Sequence, residues 1–396
     1  MVQAEPVNET EPATKSEPAT AKEQASEPLQ ARNRVLRVAS WGGAYGKAQT
    51  RAIIEPVRTE LDILIERVAV DDEQPEIGQA DVLEVNQSSL VRGCRSGAFA
   101  RIQPIDLSRS PNGGDGAGDF IADGVTDCGV ATFAWSALVL FDGAKFRRGT
   151  PRTLSDVFDT KRFPGKRAFP KRMENLLEML AVASGIDRAN VYEALLDRKA
   201  LDKIFARLEK LLPHIVWSKS AGESVALLER GKARFALAYS GRAFRKTIAG
   251  RLTAIWDGHI YDHGSWVISA RARDQELAKS FITLATSPKM LAAQARIWPY
   301  GPMRKSAAAM AGRHSLLDVE LSRFMPTSEA RLPAGLRRNA EFWLENSKRL
   351  NDRLATLMEG FPIGIRIAAP LRRPEPPPPP IPPLPERSRN TVDGSN

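Results

Sequence analysis

The run Gly-Val-Ala-Thr-Phe-Ala-Trp-Ser-Ala-Leu-Val-Leu-Phe at residues 129–141 is the strongest local constraint on the fold. It is too rich in β-branched and aromatic residues for a helix and reads as one or two strands buried on both faces. A strand buried on both faces needs helices above and below it. The run is also the longest apolar stretch in the chain, and Thr132 and Ser136 interrupt it. It falls short of the roughly 18 apolar residues a spanning helix needs, which excludes a transmembrane fold.

The surrounding pattern supplies the helices. "VLRVAS" reads as a strand, and the glycines after it open a helix with apolar residues at 48, 52, 53 and 57. "DILIERVAV", "ADVLEV", "HIVW", "ARFALAY", "LTAIWDG" and "SWVISA" read as further strands. Helical spacing marks 174–184, 189–196, 198–212, 222–230 and 275–285. A last helix is expected from about Ala334 to Glu359, before Gly360 and Pro362. Strands alternating with helices predict mainly parallel sheets covered by helices.

Both ends differ from this body. Residues 1–33 repeat "EPAT" and "SEP" and hold no aromatic residue, a composition that predicts disorder. Ten prolines between Pro370 and Pro385 predict an extended polyproline spacer in the segment 362–396. Six Glu against two Lys give residues 1–31 a net charge of −4, so the remainder carries +14 and the whole chain +10. The basic residues are scattered over helices without interleaved aromatics, and no nucleic-acid motif is present.

The usual chemical motifs are missing. Gly46-Lys47 is followed by Ala48, so the P-loop hydroxyl is absent, and the glycines do not form a dinucleotide fingerprint. His259 and His263 stand four apart beside Asp262, but in a Gly-rich link expected between two strands, where a metal site is not assembled. No nucleophile elbow is present, and no cofactor is expected. The aromatics Trp41, Tyr45, Trp217, Tyr239, Tyr261 and Trp266 fall at strand ends or turns, where α/β sheets meet their ligands.

A series of segments in one order resembles the periplasmic solute-binding proteins of polyamine (spermidine/putrescine)-type ABC importers. It runs from "VLRVASWGGAYGKAQTRAIIEPVRTE" through "ADVLEVNQSSLVRGCRSGAFARIQPID", "GVTDCGVATFAWSALVLFD" and "TPRTLSDVFDTKRFPGKRAF". It continues through "IVWSKSAGESVALLERGKARFALAYSGR" to "ATSPKMLAAQARIWPYGPMRKSA" and "NAEFWLEN", covering about residues 34–349. The resemblance implies a two-lobed type II binding-protein fold: two mixed sheets flanked by helices, with disordered tails. Lobe 1 would be 34–136 and 264–312, lobe 2 would be 137–263, and C-terminal helices would occupy 313–361. The function implied is capture of a small polar solute for inner-membrane ABC permease subunits, by a monomer in the periplasm. Val2-Gln3-Ala4 fits the end of a leader peptide.

The same resemblance places the ligand on Trp41, Tyr45, Asn86, Gln87, Glu178, Trp217, Tyr239, Arg242, Asp262 and Trp266. It also places Cys94 and Cys128 where relatives carry cysteines, which with the oxidising compartment predicts a disulfide. Four departures alter the ligand. Gly264 stands where many relatives have an acid, Ser265 where they have Tyr, and Asn175 and Ser218 replace expected tryptophans. A diamine needs a counter-charge at each end, so these departures predict an amine, amino-acid-like or carboxylate-bearing solute instead of a polyamine. The competing readings are an enzyme using the same cleft with Glu178, Asp262 or a histidine as acid or base, and an interaction protein acting through its tails.

Overall fold

The computed structural model describes residues 34–70, 80–121, 124–146 and 149–360. The two expected tails, 1–33 and 362–396, lie outside the described residues. The fold is α/β and two-lobed, and its strands join into one ten-stranded mixed sheet. The strands are β1 (Val35–Trp41), β2 (Leu64–Val70), β3 (Val82–Asn86), β4 (Gly129–Phe141), β5 (Arg167–Pro170), β6 (Ile215–Ser218), β7 (Phe235–Tyr239), β8 (Thr253–Ile268) and two short ones, β9 (Gly301–Pro302) and β10 (Leu336–Arg337). Their main order is β2-β1-β3-β8-β4-β7-β5-β6.

Two sets of parallel pairs are local to a lobe, β1 with β2 and β3, and β5 with β6 and β7, while β10 pairs parallel with β8 at the change-over between them. The antiparallel pair β4–β8 joins the lobes. The apolar run at 129–141 is thus one strand, and its two halves feed different cores. Phe133 and Ala134 pack with Leu36, Val82 and Trp266 in the first lobe. Ala137 and Val139 pack with Phe169, Leu177 and Phe235 in the second. On β8 the change-over falls between Tyr261 and Ile260.

Two local expectations are corrected. The segment His259–His263 is not a link between strands; β8 runs unbroken through it. Gly258, at φ +64°, takes up the irregularity where the β4 register shifts between Ala137 and Val139, and a Cβ there would strike Leu154. The last helix begins at Ala340, not Ala334. Pro333 sits in a tight turn, β10 then pairs with β8, and the Asn339 side chain caps the helix by accepting from the Phe342 N–H. Phe342, Trp343, Leu350 and Leu354 of that helix pack in the second-lobe core. Glu341 ion-pairs with Arg95 of the first lobe at 2.6 Å.

The helix that follows β1 is α-helical over Gly43–Gln49 and Glu55–Leu61, with a π-helical turn at Thr50–Ile54 between them. Gln87–Arg95, following β3, is tied to the start of β4 by the Cys94–Cys128 disulfide, with a Cα–Cα separation of 5.8 Å.

Candidate functional site

A cavity of about 830 Å³ opens where the lobes meet. Gln87, Leu90 and Val91 of the first lobe form one wall, Arg188 and Tyr192 of the second form another, and the segment 335–341 closes it. Gln87 is held by its own lobe: its Nε2 lies 3.1 Å from the Ser265 Oγ and 3.1 Å from the His263 Nδ1. Arg188 ion-pairs with Asp257 at 2.6 Å. The Nε of Arg338 has no hydrogen-bond partner among the described residues.

Both signs of charge meet near this cavity. Glu178 is fully buried, and accepts from the Trp343 Nε1 at 2.5 Å and the Tyr192 hydroxyl at 3.1 Å through one oxygen. Its second oxygen is without a partner among the described residues. Burial raises the Glu178 carboxyl above its ordinary value, and Arg338 opposes that rise. Burial likewise raises Asp262, again opposed by Arg338. The charge of Arg338 thus bears on two buried carboxyl groups that are poor hosts for a negative charge on their own.

A second cluster lies on the first-lobe side of the connecting strands. Tyr45 meets Tyr300 with ring centroids 5.7 Å apart, and Tyr300 meets Trp135 at 6.4 Å and Trp298 at 5.9 Å. Beneath it lies Glu84, 1% exposed, which accepts from Ser40, Tyr45, Gln49 and Thr132.

The ten residues expected at the ligand are spread over several environments. Gln87 lines the cavity. Asp262 shares the connecting ladder with Trp135, its register partner. Asn86 accepts from the Ser89 N–H and caps the helix Gln87–Arg95. Trp41 ends β1, and its carbonyl accepts from Arg67 at 2.8 Å. Tyr45 is engaged by Glu84 and Tyr300. The Tyr239 hydroxyl accepts from Arg172 at 3.1 Å, and the exposed Arg242 lies against Gly222. Trp217 and Trp266 are core residues: Trp217 packs in the second lobe, and Trp266, 0% exposed, meets Phe281 edge-on at 5.3 Å. Both are among the residues expected at the ligand, and in this structure their rings pack within the cores.

Glu84, Tyr192, Trp135, Trp298, Tyr300 and Arg338 were not singled out from the sequence. "RIWPYGP" and "GLRRNAEFW" carried a signal in their aromatics and paired arginines. Nothing in "ADVLEV" distinguishes Glu84 from the solvent-facing residue of an alternating strand.

His259 and His263 do not share a ligand. His259 is buried between the Ser136 Oγ, 2.7 Å from its Nδ1, and the Arg331 carbonyl, 3.0 Å from its Nε2. Among the described residues no group of three or more His, Cys, Asp or Glu is placed to hold a metal ion.

Residues 44–315 match the family described as bacterial extracellular solute-binding protein. The chain belongs to that family. Its location is periplasmic, in agreement with the disulfide, and its role is that of a solute-binding subunit working with ABC permease subunits. A curated relative, a gamma-aminobutyric acid-binding protein of Pseudomonas aeruginosa, is 29% identical over 333 residues, spanning 82% of this chain and 91% of its own. An ABC transporter substrate-binding protein from Bradyrhizobium japonicum superposes with a TM-score of 0.68 at 25% identity, covering 82% of this chain and 100% of its own. The binding protein MotA of A. tumefaciens, solved with glucopine, shares the fold with a TM-score of 0.64 at 19% identity, covering 82% of this chain and 99% of its own.

Proposed function

We propose that this solute-binding protein captures a small zwitterion, an ω-amino acid or a related carboxylate-bearing amine, in the interlobe cavity. The observation that carries this reading is Arg338, which lines a cavity of about 830 Å³ and whose Nε has no partner among the described residues. A ligand carboxylate gives Arg338 a charge-assisted partner. A ligand ammonium meets the carboxylates that line the cavity, Asp127 and Glu341. Each ligand charge then finds its complement, which offsets the cost of taking it out of water. The gamma-aminobutyric acid-binding relative supports the same class.

The reading displaces polyamines because the cavity is lined by cations from both lobes, Arg95 and Arg101 of the first and Arg188 of the second, together with Arg338. Thermal-shift screening followed by calorimetry tests it. Gamma-aminobutyric acid at a hundredfold its dissociation constant is expected to add about 2.7 kcal/mol to stability. The Arg338→Gln variant is expected to lose about tenfold or more in affinity, the loss of one hydrogen bond to a charged group. Micromolar spermidine binding that survives Arg338→Gln and is abolished by Glu178→Gln overturns the reading.

A further inference from the structure

We infer that Glu84 is the positioning residue of the aromatic cluster, an internal counter-charge that fixes Tyr45 and never meets the solute. A carboxylate offers about four lone-pair sites. Here all four are taken. Oε1 accepts from the Tyr45 hydroxyl at 2.6 Å and the Thr132 Oγ1 at 2.6 Å. Oε2 accepts from the Ser40 Oγ at 2.7 Å and the Gln49 Nε2 at 2.8 Å. At 1% exposure the group has neither a free acceptor site nor a path to a ligand ammonium.

The donors come from separate elements: Ser40 from β1, Tyr45 and Gln49 from the following helix, and Thr132 from β4. Glu84 itself stands on β3. One side chain thus ties the first turn of the chain to the strand that crosses between the lobes. The space for it is made by Gly264 on β8, where a Cβ would stand 3.2 Å from the Glu84 Oε1 and 3.0 Å from the Thr132 Oγ1. The nearby guanidinium of Arg67, bonded to the Trp41 carbonyl at 2.8 Å, carries the opposite charge.

The consequence runs outward through rings. Glu84 holds the Tyr45 hydroxyl, the Tyr45 ring meets Tyr300, and Tyr300 meets Gly241 of the second lobe. Glu84 therefore sets the surface on which the second lobe comes to rest. This deepens the reading of the chain as a solute-binding protein and rests on it for its effect on affinity, but the placement of Tyr45 is open to a measurement that needs no solute.

The test is site-resolved nitration by tetranitromethane, read by peptide mass for the five tyrosines of the chain. In Glu84→Ala, Tyr45 is expected to react about tenfold faster than in the wild type, the equivalent of losing one charge-assisted hydrogen bond. In Glu84→Ala/Gly264→Asp, a carboxylate supplied from β8 is expected to restore most of the protection, which Gly264→Asn of the same volume without the charge is not expected to do on the same background. Glu84→Gln keeps the shape without the charge and decides by the same readout should the alanine variant not fold. Unchanged Tyr45 reactivity in the folded single variants, or no recovery in the double variant, overturns the inference. Calorimetry with gamma-aminobutyric acid on the same proteins is the second arm. Failure of the wild type to bind that probe counts against the ligand reading alone, since the nitration result stands without it.

Discussion

Tyr300 of the first lobe rests on Gly241 of the second, so closely that a Cβ at 241 would stand 3.0 Å from the Tyr300 Cε1 and 3.1 Å from the Trp298 Cζ2. Gly241 opens the helix Ser240–Ile248, and Arg245 of the same helix lies 5.8 Å from the Trp298 ring. The lobes meet here by packing against a missing side chain. Gly241→Val is therefore expected to hold them apart. Solution scattering should show a more extended particle at saturating solute, with affinity lowered about tenfold or more by an overpacking cost of about 1–3 kcal/mol. Wild-type scattering from the variant would show that the contact does not govern closure.

His259 gives the protein an acid-sensitive point in the connecting ladder. Burial holds its imidazole down to about 4, with Arg331 and Arg188 as opposing cations and Asp257 as the nearby carboxylate. An unfolded chain takes up this proton near 6.5. Stability from this group is thus complete above about pH 6.5 and is lost as the pH falls towards 4, to a total of about 3 kcal/mol. Denaturant melts at pH 7 and pH 4.5 should show His259→Gln losing less stability on acidification than the wild type. Equal losses would place the acid sensitivity elsewhere.

The Cys94–Cys128 disulfide closes a loop of 34 residues. Replacing both cysteines by serine is expected to cost on the order of 3–4 kcal/mol in the chain-entropy account. The bond also anchors the helix that carries Gln87 and Leu90 of the cavity wall. Solute affinity measured with and without reductant should fall on reduction. A variant as stable as the wild type would contradict the stabilising role.

Trp266 separates a core role from a ligand role. Trp266→Ala is expected to cost about 3–5 kcal/mol. Trp266→Phe, which also removes an indole N–H without a partner among the described residues, should cost far less. Both variants, where folded, should bind solute as the wild type does. A large affinity loss with unchanged stability in Trp266→Phe would return the residue to the site.

The fold was more legible than the site, for a physical reason. Apolar periodicity reports which face of an element is buried, and the run at 129–141, the segment "VLRVAS" and the helix 198–211 all announce themselves that way. A buried polar group obeys no such period. Glu84 sits in an alternating strand as a surface residue would, and only the convergence of Ser40, Tyr45, Gln49 and Thr132 reveals it. Trp217 and Trp266 show the converse: an aromatic at a strand end has the same appearance whether it faces a solute or a helix. Gly264, read from sequence as the loss of an anion, is in the structure the space that a carboxylate from the adjoining strand occupies.

The ladder between β4 and β8, continuous across the lobes apart from two register shifts, changes what opening and closing can be. A pair of loop linkers would let the lobes wander through many relative orientations, and the arriving solute would have to select one of them. Here the connection is a hydrogen-bonded ribbon with β10 laid along one edge, so the accessible motion is a bend about a narrow set of axes. Much of the rotational freedom that association would otherwise remove is gone before any solute is present, surrendered when the chain folds. Affinity in this scaffold can therefore rest on a few contacts, because little of their free energy is consumed in bringing the two halves into line.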